Sequence, residues 1–183
     1  MNPYVILLRG INVGGKNIIP MAELRNRLAE DGFSDVATYI ASGNVLLNSE
    51  RPAEQVKTRI EDLLVKNFNL DDGFVKALVL KPEQLQAVID QKPPGFGEEP
   101  EKYRSDVFFL MELDAQEAMP VFKPREGVDQ VWPGVGVIYS QRLTAQLSKT
   151  GINKIIGTAA YKSMTIRNWN TTTKLLEMIK QRL

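Results

Sequence analysis

The stretch VATYIASGNVLLN (residues 36–48) contains two strand-like runs, Val36–Ala41 and Val45–Leu47, separated by Ser42-Gly43-Asn44. A short turn that contains Gly and Asn between two such runs is typical of a β-hairpin. Because a hairpin pairs its strands in opposite directions, this stretch predicts an antiparallel sheet rather than a parallel one.

Further elements are predicted on both sides of the hairpin. Tyr4–Leu8 is a short aliphatic strand, and apolar residues recur at helical spacing over residues 21–28. After the hairpin, residues 56–64 indicate a second helix, Phe74–Leu80 a further strand and Glu83–Ile89 a short helix. The order strand, helix, strand, strand, helix, strand is that of a ferredoxin-like βαββαβ unit.

The same order returns after residues 92–105, KPPGFGEEPEKYRS, a segment rich in Pro and Gly that has no regular period. The predicted elements are a strand at Val107–Leu113, a helix at Ala115–Met119, strands at Val128–Trp132 and Val135–Tyr139 joined by a type II turn at Pro133-Gly134, a helix within residues 143–157 that is either continuous or split at Gly151, a strand at Met164–Arg167 and a closing helix around Leu175–Ile179.

The fold class that follows is α+β, with two similar ferredoxin-like βαββαβ(α) halves and largely antiparallel sheets. Residues 1–91 are predicted to form the first half and residues 106–183 the second. Residues 92–105 are predicted to be a linker or a long loop.

Composition excludes several classes of function. The 183 residues include no Cys and no His, which removes Cys/His zinc sites, Ser-His-Asp and Cys-His catalysis and disulfide frameworks. We therefore expect no metal site. The apolar runs are too short for a signal peptide or a membrane span, so a cytoplasmic protein without membrane association is expected.

Charge is distributed unevenly along the chain, although the net charge is only +1. Residues 141–183 carry eight basic side chains and one acidic one, whereas residues 82–140 carry five basic and eleven acidic ones. Such asymmetry suggests that the basic region binds anions. The alternative is that both segments face solvent or pair with each other inside the fold.

A glycine-rich stretch follows the first strand. Gly10–Asn17, GINVGGKN, nearly fits a phosphate-binding loop, but Asn17 replaces the hydroxyl that would ligate magnesium, and Pro20 interrupts the helix that should follow. A backbone nest beside Arg9 and Lys16 that holds a phosphate or a carboxylate is favoured over a nucleoside-triphosphatase loop. A plain glycine turn with solvated charges is the alternative.

A second polar motif, Arg167-Asn168-Trp169-Asn170-Thr171, opens the closing helix. Asn168 or Asn170 is predicted to be its N-cap, and the same residues would present an anion- or base-binding surface. The RNA-binding signature of aromatic residues on a central strand is absent. No convincing pair of catalytic side chains is found.

With the motifs LLRGINVGGKN, PMAEL, TYIASGNV, LSKTGINKIIG and IRNWNTTTKL, the chain resembles a bacterial family known as domain of unknown function 1697. The resemblance is closest in residues 5–47 and 142–176. It implies an α+β protein of two related halves and no established reaction. The family's motif positions correspond to Arg9, Gly10, Asn12, Gly14, Gly15, Lys16, Ser42, Gly43, Asn44, Asn153, Lys154, Arg167, Asn168, Trp169, Asn170 and Thr171.

The favoured hypothesis is a non-catalytic binding module for an anionic, nucleotide-like ligand, in a monomer or weak homo-oligomer. The alternatives are nucleic-acid binding by the basic C-terminal quarter and an enzyme that acts on a phosphorylated substrate. No cofactor is assigned. The candidate ligand-binding residues are Arg9, Asn12, Gly14, Gly15, Lys16, Ser42, Asn44, Lys149, Asn153, Lys154, Arg167, Asn168, Asn170 and Thr171.

Overall fold

The computed structural model of the chain describes residues 1–71 and 75–183. Within them the order is β1 (Asn2–Arg9), α1 (Met21–Glu30), β2 (Ser34–Tyr39), β3 (Asn44–Ser49), α2 (Ala53–Asn67), β4 (Lys76–Leu80), α3 (Pro82–Asp90), β5 (Tyr103–Leu110), α4 (Ala115–Ala118), β6 (Asp129–Pro133), β7 (Val137–Leu143), β8 (Met164–Asn168) and α5 (Trp169–Lys180). The predicted start of the fourth strand, Phe74, lies outside the described residues.

The chain divides into two compact units. The first unit consists of Met1–Leu85 together with Leu175–Leu183, and the second unit of Gln86–Lys174. Residues 92–105, for which a linker or long loop was predicted, belong to the second unit, and Phe96 within them is fully buried.

The sheet of the first unit has the strand order β2-β3-β1-β4, and every neighbouring pair is antiparallel. The hairpin of β2 and β3 forms as the sequence predicts. β1 is central, and its residues Tyr4–Arg9 are all buried. Alternate residues of β1 pack against the apolar faces of α1 and α2. Each buried aliphatic side chain contributes about 1.5–3 kcal/mol to the stability of the fold. This core includes Tyr4, Ile6, Leu8, Leu24, Leu28, Val56 and Ile60.

The sheet of the second unit repeats this arrangement. Its order is β6-β7-β5-β8, so each strand takes the place of its counterpart in the first sheet, and all pairs are again antiparallel. Phe108 of β5 packs edge-on against Phe122, with ring centroids 5.0 Å apart. The predicted α+β class with two similar halves is therefore confirmed. No helix in residues 1–71 and 75–183 has both the length and the apolarity needed to cross a bilayer.

The helical segment predicted within residues 143–157 is divided at Gly151, but its two parts, Thr144–Lys149 and Ile152–Gly157, are 3-10 segments rather than α-helices. A third 3-10 segment, Ala160–Ser163, follows them. Asp129 explains the interruption, because its carboxylate accepts hydrogen bonds from the Thr150 hydroxyl at 2.6 Å and from the Gly151 amide at 2.8 Å. These bonds hold the chain against β6 and prevent a continuous α-helix.

The predicted type II turn at Pro133-Gly134 is wrong. The glycine with positive φ in this hairpin is Gly136, at +71°, and β7 begins at Val137 rather than Val135. Gly134 has a different reason to lack a side chain, because a Cβ there would lie 2.7 Å from the Tyr139 ring. This contact lies within the hairpin, but it depends on the register of its two strands, which the turn residues alone do not reveal.

Candidate functional site

The second unit contains a groove of about 430 Å³ beside the junction of β8 and α5. The register of β8 on β5 ends where Asn168 lies opposite Asp106, so Tyr103–Ser105 of β5 extend past the end of β8. The chain passes from β8 directly into α5 at this point, which leaves the groove beside these residues. Its lining combines aromatic, amide, hydroxyl and cationic groups: Gly97, Pro100, Tyr103, Arg104, Ser105, Thr144, Leu147, Asn168, Trp169 and Asn170.

Asn168 caps α5, as predicted. Its Oδ1 accepts a hydrogen bond from the Thr171 amide at 2.7 Å, and its carbonyl accepts one from the Thr172 hydroxyl at 3.0 Å. The cap occupies the amide oxygen of Asn168 and leaves its NH₂ group without a partner among the described residues. Asn168 and Asn170 are both exposed, so their side-chain NH₂ groups are available as donors in the groove.

Trp169 forms an aromatic wall whose position is fixed by the core. Its ring meets Phe96 edge-on, with centroids 5.2 Å apart and an interplanar angle of 82°. Phe96 also contacts Trp132 and Tyr139 edge-on, which anchors the wall to β6 and β7. On the other side Gly97 lies so close that a Cβ there would be 2.2 Å from Trp169 Cδ1. The indole is therefore held in one orientation.

Gln141 of β7 ties the chain before β5 to the sheet beside the groove. Its Oε1 accepts hydrogen bonds from the Ser105 hydroxyl at 3.0 Å and from the Gly97 amide at 3.2 Å. Ser105 and Gly97 both line the groove, so their positions are set by a buried side chain rather than by solvent.

Arg104 contributes positive charge at the groove. Its Nε lies 3.1 Å from Asp106 Oδ2, and its side chain is 56% exposed. Asp106 is buried and is also paired with Arg142, whose Nη2 lies 2.7 Å from the same oxygen. Two guanidinium groups thus share one carboxylate, which leaves a net positive charge in this cluster.

Arg167, in contrast, does not line the groove. It is buried, and its Nη1 donates hydrogen bonds to the Thr165 hydroxyl at 2.9 Å and to the Ile166 carbonyl at 2.8 Å. Desolvation lowers the pKa of its guanidinium to about 10. The next residue, Asn168, lies on the opposite face of the strand, because successive side chains alternate. Thr171 is also buried.

In the first unit, the Arg9–Asn17 loop lies against the turn between β2 and β3. Asn12 joins them: its Nδ2 donates to the Ala41 carbonyl at 2.8 Å, and its Oδ1 accepts from the Ile19 amide at 2.8 Å. Gly43 fits closely against β1, because a Cβ there would lie 2.8 Å from Leu8 Cβ. Asn44 is buried and donates to the Tyr39 carbonyl and to the Ser42 hydroxyl. These amides hold the loops in place.

The glycine-rich stretch itself forms a tight hairpin, and anion binding there stays a prediction. Gly14 and Gly15 both have positive φ, and Val13 and Lys16 form an isolated bridge on either side of them. The Lys16 amide donates to the Val13 carbonyl at 3.0 Å, and the Asn12 amide to the Asn17 carbonyl at 3.0 Å. Two donors that a nest would offer to an anion are therefore used within the hairpin. Arg9 is buried below it.

Comparison with known proteins identifies the family. The model of a protein family of unknown function, DUF1697, matches residues 1–139. The chain belongs to this family. It is similar to the solved structure of conserved bacterial protein SP0830 from Streptococcus pneumoniae, with a TM-score of 0.81 and 26% sequence identity over 97% of this chain and 98% of that one. No curated protein matches the sequence.

In this DUF1697 protein the predicted site residues fall into two groups. Those from Arg9 to Asn44 belong to the first unit, and those from Lys149 to Thr171 to the second. Of the second group, only Asn168 and Asn170 line the groove, whereas Lys149, Asn153 and Lys154 are exposed on the 3-10 segments. That both groups bind one ligand stays a prediction.

Most of the groove lies at residues that no sequence motif had indicated. Gly97 and Pro100 lie in the segment for which a linker was predicted, and Tyr103–Ser105 precede the predicted start of their strand at Val107. The signal in the sequence was the presence of Phe96 and Tyr103. Aromatic side chains are unusual in a Pro/Gly-rich linker, because such a linker does not pack against a core. Within residues 1–71 and 75–183 no group of three or more Asp and Glu residues is placed to hold a metal ion.

Proposed function

We propose that the groove beside α5 binds a small anionic, nucleotide-like ligand without transforming it. The observation that carries the proposal is the meeting of a fixed indole, Trp169, with two exposed carboxamides, Asn168 and Asn170, and a half-exposed guanidinium, Arg104. An indole face stacks with a base, carboxamides pair with base edges, and a guanidinium pairs with phosphate. A volume of about 430 Å³ suits a small ligand.

Electrostatics support an anion rather than a neutral ligand. The N-terminal end of an α-helix carries a partial positive charge, and α5 has no acidic residue in its first turn to offset it. The net positive charge of Arg104, Arg142 and Asp106 adds to this field. Because Asp106 is held by Arg142 as well, Arg104 can turn toward a phosphate without leaving a buried carboxylate unpaired.

Intrinsic fluorescence provides a direct test, since the chain has two tryptophans. In a Trp132→Phe background Trp169 is the remaining tryptophan, and excitation at the red edge of the indole band avoids emission from the five tyrosines. We expect nucleoside monophosphates to quench its emission saturably and inorganic phosphate to change it little, because only the nucleotides contain a base that stacks. Emission that does not respond to any nucleoside monophosphate at millimolar concentration contradicts the proposal.

Variants locate the binding. Asn170→Ala is expected to weaken nucleotide binding about tenfold, the loss of roughly one hydrogen bond to a charged or polar partner. Asn26→Ala removes an exposed carboxamide on α1 of the first unit, outside the groove, and serves as the matched control. Equal affinities for the two variants place the ligand elsewhere.

We also propose a topology for each half of the chain and a cellular location for the protein. Each half is assigned to the ferredoxin-like βαββαβ arrangement, which is supported by the identical strand order of the two antiparallel sheets. A cytoplasmic location is assigned because that compartment holds the nucleotide pool, and cell fractionation tests it. A membrane-bound or secreted pool of the protein contradicts this assignment.

A further inference from the structure

The second unit carries a cluster of four exposed cations on two segments that are distant in sequence. Lys123 and Arg125 lie between α4 and β6, and Lys149 and Lys154 lie on the 3-10 segments. We call these four side chains the cationic surface. The overall charge pattern of the sequence conceals it, because two of the four belong to the acidic region 82–140.

Three sets of contacts hold the two segments together. Arg125 Nη1 donates to the Lys149 carbonyl at 3.4 Å. Gly151 packs on the backbone of Lys123, where a Cβ on Gly151 would lie 1.8 Å from the Lys123 carbonyl oxygen. Asp129 accepts hydrogen bonds from the Arg125 and Gly151 amides, each at 2.8 Å. The spacing of the four cations is thus built into the fold rather than left to mobile loops.

The positive charge of this surface is only partly neutralised locally. None of the four side chains forms an ion pair within residues 1–71 and 75–183 of the structure. The neighbouring carboxylate of Asp129 is buried and accepts hydrogen bonds from Thr150 and two backbone amides, which are neutral groups and leave its negative charge in place. Together with Glu126, Asp129 offsets two of the four positive charges, so the surface keeps a net charge of +2.

The chemistry of the surface favours phosphates over a protein partner. Apart from Pro124, the exposed residues of these two segments are polar, including Ser148 and Asn153, and Ile156, later on the same 3-10 segment as Lys154, is a single exposed apolar side chain rather than an apolar patch. A stable protein interface needs an apolar centre, whereas nucleic-acid interfaces are polar, positively charged and rich in hydroxyl and amide contacts to phosphate. We propose that the cationic surface binds the phosphate backbone of a nucleic acid, independently of base sequence.

This proposal does not depend on the function proposed for the groove. The segment Thr144–Lys149 contributes Leu147 to the groove and Lys149 to the cationic surface, so the two are neighbours. Substitutions in one leave the residues of the other unchanged. Mononucleotide binding measured with groove variants and oligonucleotide binding measured with surface variants therefore succeed or fail separately.

The test is fluorescence anisotropy of the full chain with a labelled 20-base-pair DNA duplex and a labelled 20-nucleotide RNA. Four phosphate contacts predict that affinity for the duplex falls about 100-fold between 50 and 200 mM salt.

Lys149→Gln with Lys154→Gln should remove about half of that salt dependence and weaken binding at least tenfold at 50 mM salt. Lys123→Gln with Arg125→Gln should do the same from the other segment, and a double variant of the exposed first-unit residues Lys66 and Lys81 should match the unchanged chain.

Circular dichroism and thermal unfolding show that each variant is folded before its affinity is compared. The proposal is overturned if neither nucleic acid binds at 50 mM salt, or if the surface variants bind as tightly as the first-unit control. Equal binding of polyglutamate, or of vesicles containing anionic lipid, also overturns it, because the partner is then another polyanion.

Discussion

At Gly97 the backbone runs so close to an indole that no side chain fits. Gly97 and its neighbour Gly95 both have positive φ, +74° and +78°, but only Gly97 is crowded by Trp169; a Cβ at Gly95 meets no atom within 4 Å. Alanine at Gly95 therefore has only the energetic cost of the left-handed backbone, whereas alanine at Gly97 has that cost and the steric clash with Trp169 as well.

Gly95→Ala is expected to lower the free energy of unfolding by about 1–2 kcal/mol, the cost of a left-handed backbone. Gly97→Ala should lower it by a further 1–3 kcal/mol or so, because Trp169 must also move. Urea denaturation measures both. A red shift of Trp169 emission in Gly97→Ala, with Trp132 replaced by Phe, would show that the indole has been displaced, and equal destabilisation by the two variants would refute the role given to the contact.

Tyr139 gives a prediction for the dependence of stability on pH. Its buried hydroxyl donates a hydrogen bond to the Val88 carbonyl, and burial raises the pKa of the phenol to about 12 from an ordinary 10.0. In the unfolded chain the phenol loses its proton above pH 10, whereas in the folded chain it keeps the proton up to about pH 12. The stability that the protonated Tyr139 phenol contributes is therefore fully present below pH 10 and is lost as the pH rises from 10 toward 12.

Tyr139→Phe removes this titration together with the hydrogen bond. We expect the variant to be about 1 kcal/mol less stable than the unchanged chain at pH 8. Above pH 10 the unchanged chain loses about 1.4 kcal/mol of stability per pH unit and the variant loses none from this group, so the difference should vanish and then reverse at about pH 11. Urea denaturation at pH 8, 9.5 and 11 measures it, and a constant difference would mean that the phenol is not held protonated by the fold.

At the scale of elements, the close packing of Gly151 on the backbone of Lys123 keeps residues 143–157 from forming one continuous helix. Gly151→Ala would place a Cβ 1.8 Å from the Lys123 carbonyl oxygen, and both groups belong to the backbone, so neither can turn away. We expect a loss of about 3 kcal/mol or more in the free energy of unfolding. Gly157 ends a similar 3-10 segment with nothing within 4 Å of its Cβ position.

Gly157→Ala is therefore the matched control, and its stability should stay within about 0.5 kcal/mol of the unchanged chain. Far-ultraviolet circular dichroism of Gly151→Ala measures whether the segment gains α-helix when this contact is disturbed. A folded Gly151→Ala variant with increased α-helix content and undiminished stability would show that the close contact does not control this segment.

The sequence predicted those elements whose signal is local. The hairpin of β2 and β3 and the helices α1 and α2 depend on turn residues and on apolar spacing, and they form where those patterns lie. The break between the first two 3-10 segments depends on a carboxylate of β6, Asp129, which lies 21 residues before Thr150 and 22 before Gly151 in the sequence. Apolar periodicity contains no information about such a partner.

The candidate site shows the same limit. The Asn168 cap was predictable because a cap acts within three residues of itself. The groove was not, because it requires the end of β8 to meet the start of β5 across the sheet, which is a matter of register. Arg167 and Asn168 are adjacent in sequence, yet one is buried and the other is exposed in the groove.

At the scale of the whole molecule, the chain order of the two units is interleaved. α5 contributes residues up to Lys174 to the second unit and residues from Leu175 to the first. Leu175, Leu176 and Ile179 are buried, and Arg182 pairs with Asp35 at 3.2 Å. Three buried aliphatic side chains contribute on the order of 5–8 kcal/mol, which is comparable to the whole stability of a domain. The first unit therefore depends on residues that follow the second unit in the chain.

A chain that ends at Lys174 tests this dependence. We expect the amides of β1 and β3 to lose protection in hydrogen exchange, because the first unit then opens at a cost far below its normal free energy of unfolding. A chain that ends at Lys180 loses Arg182 but keeps Leu175, Leu176 and Ile179, and we expect it to retain most of the protection. If the shorter chain protects β1 and β3 as well as the longer one does, the buried face of α5 does not stabilise the first unit, and residues 1–85 must hold their sheet together without it.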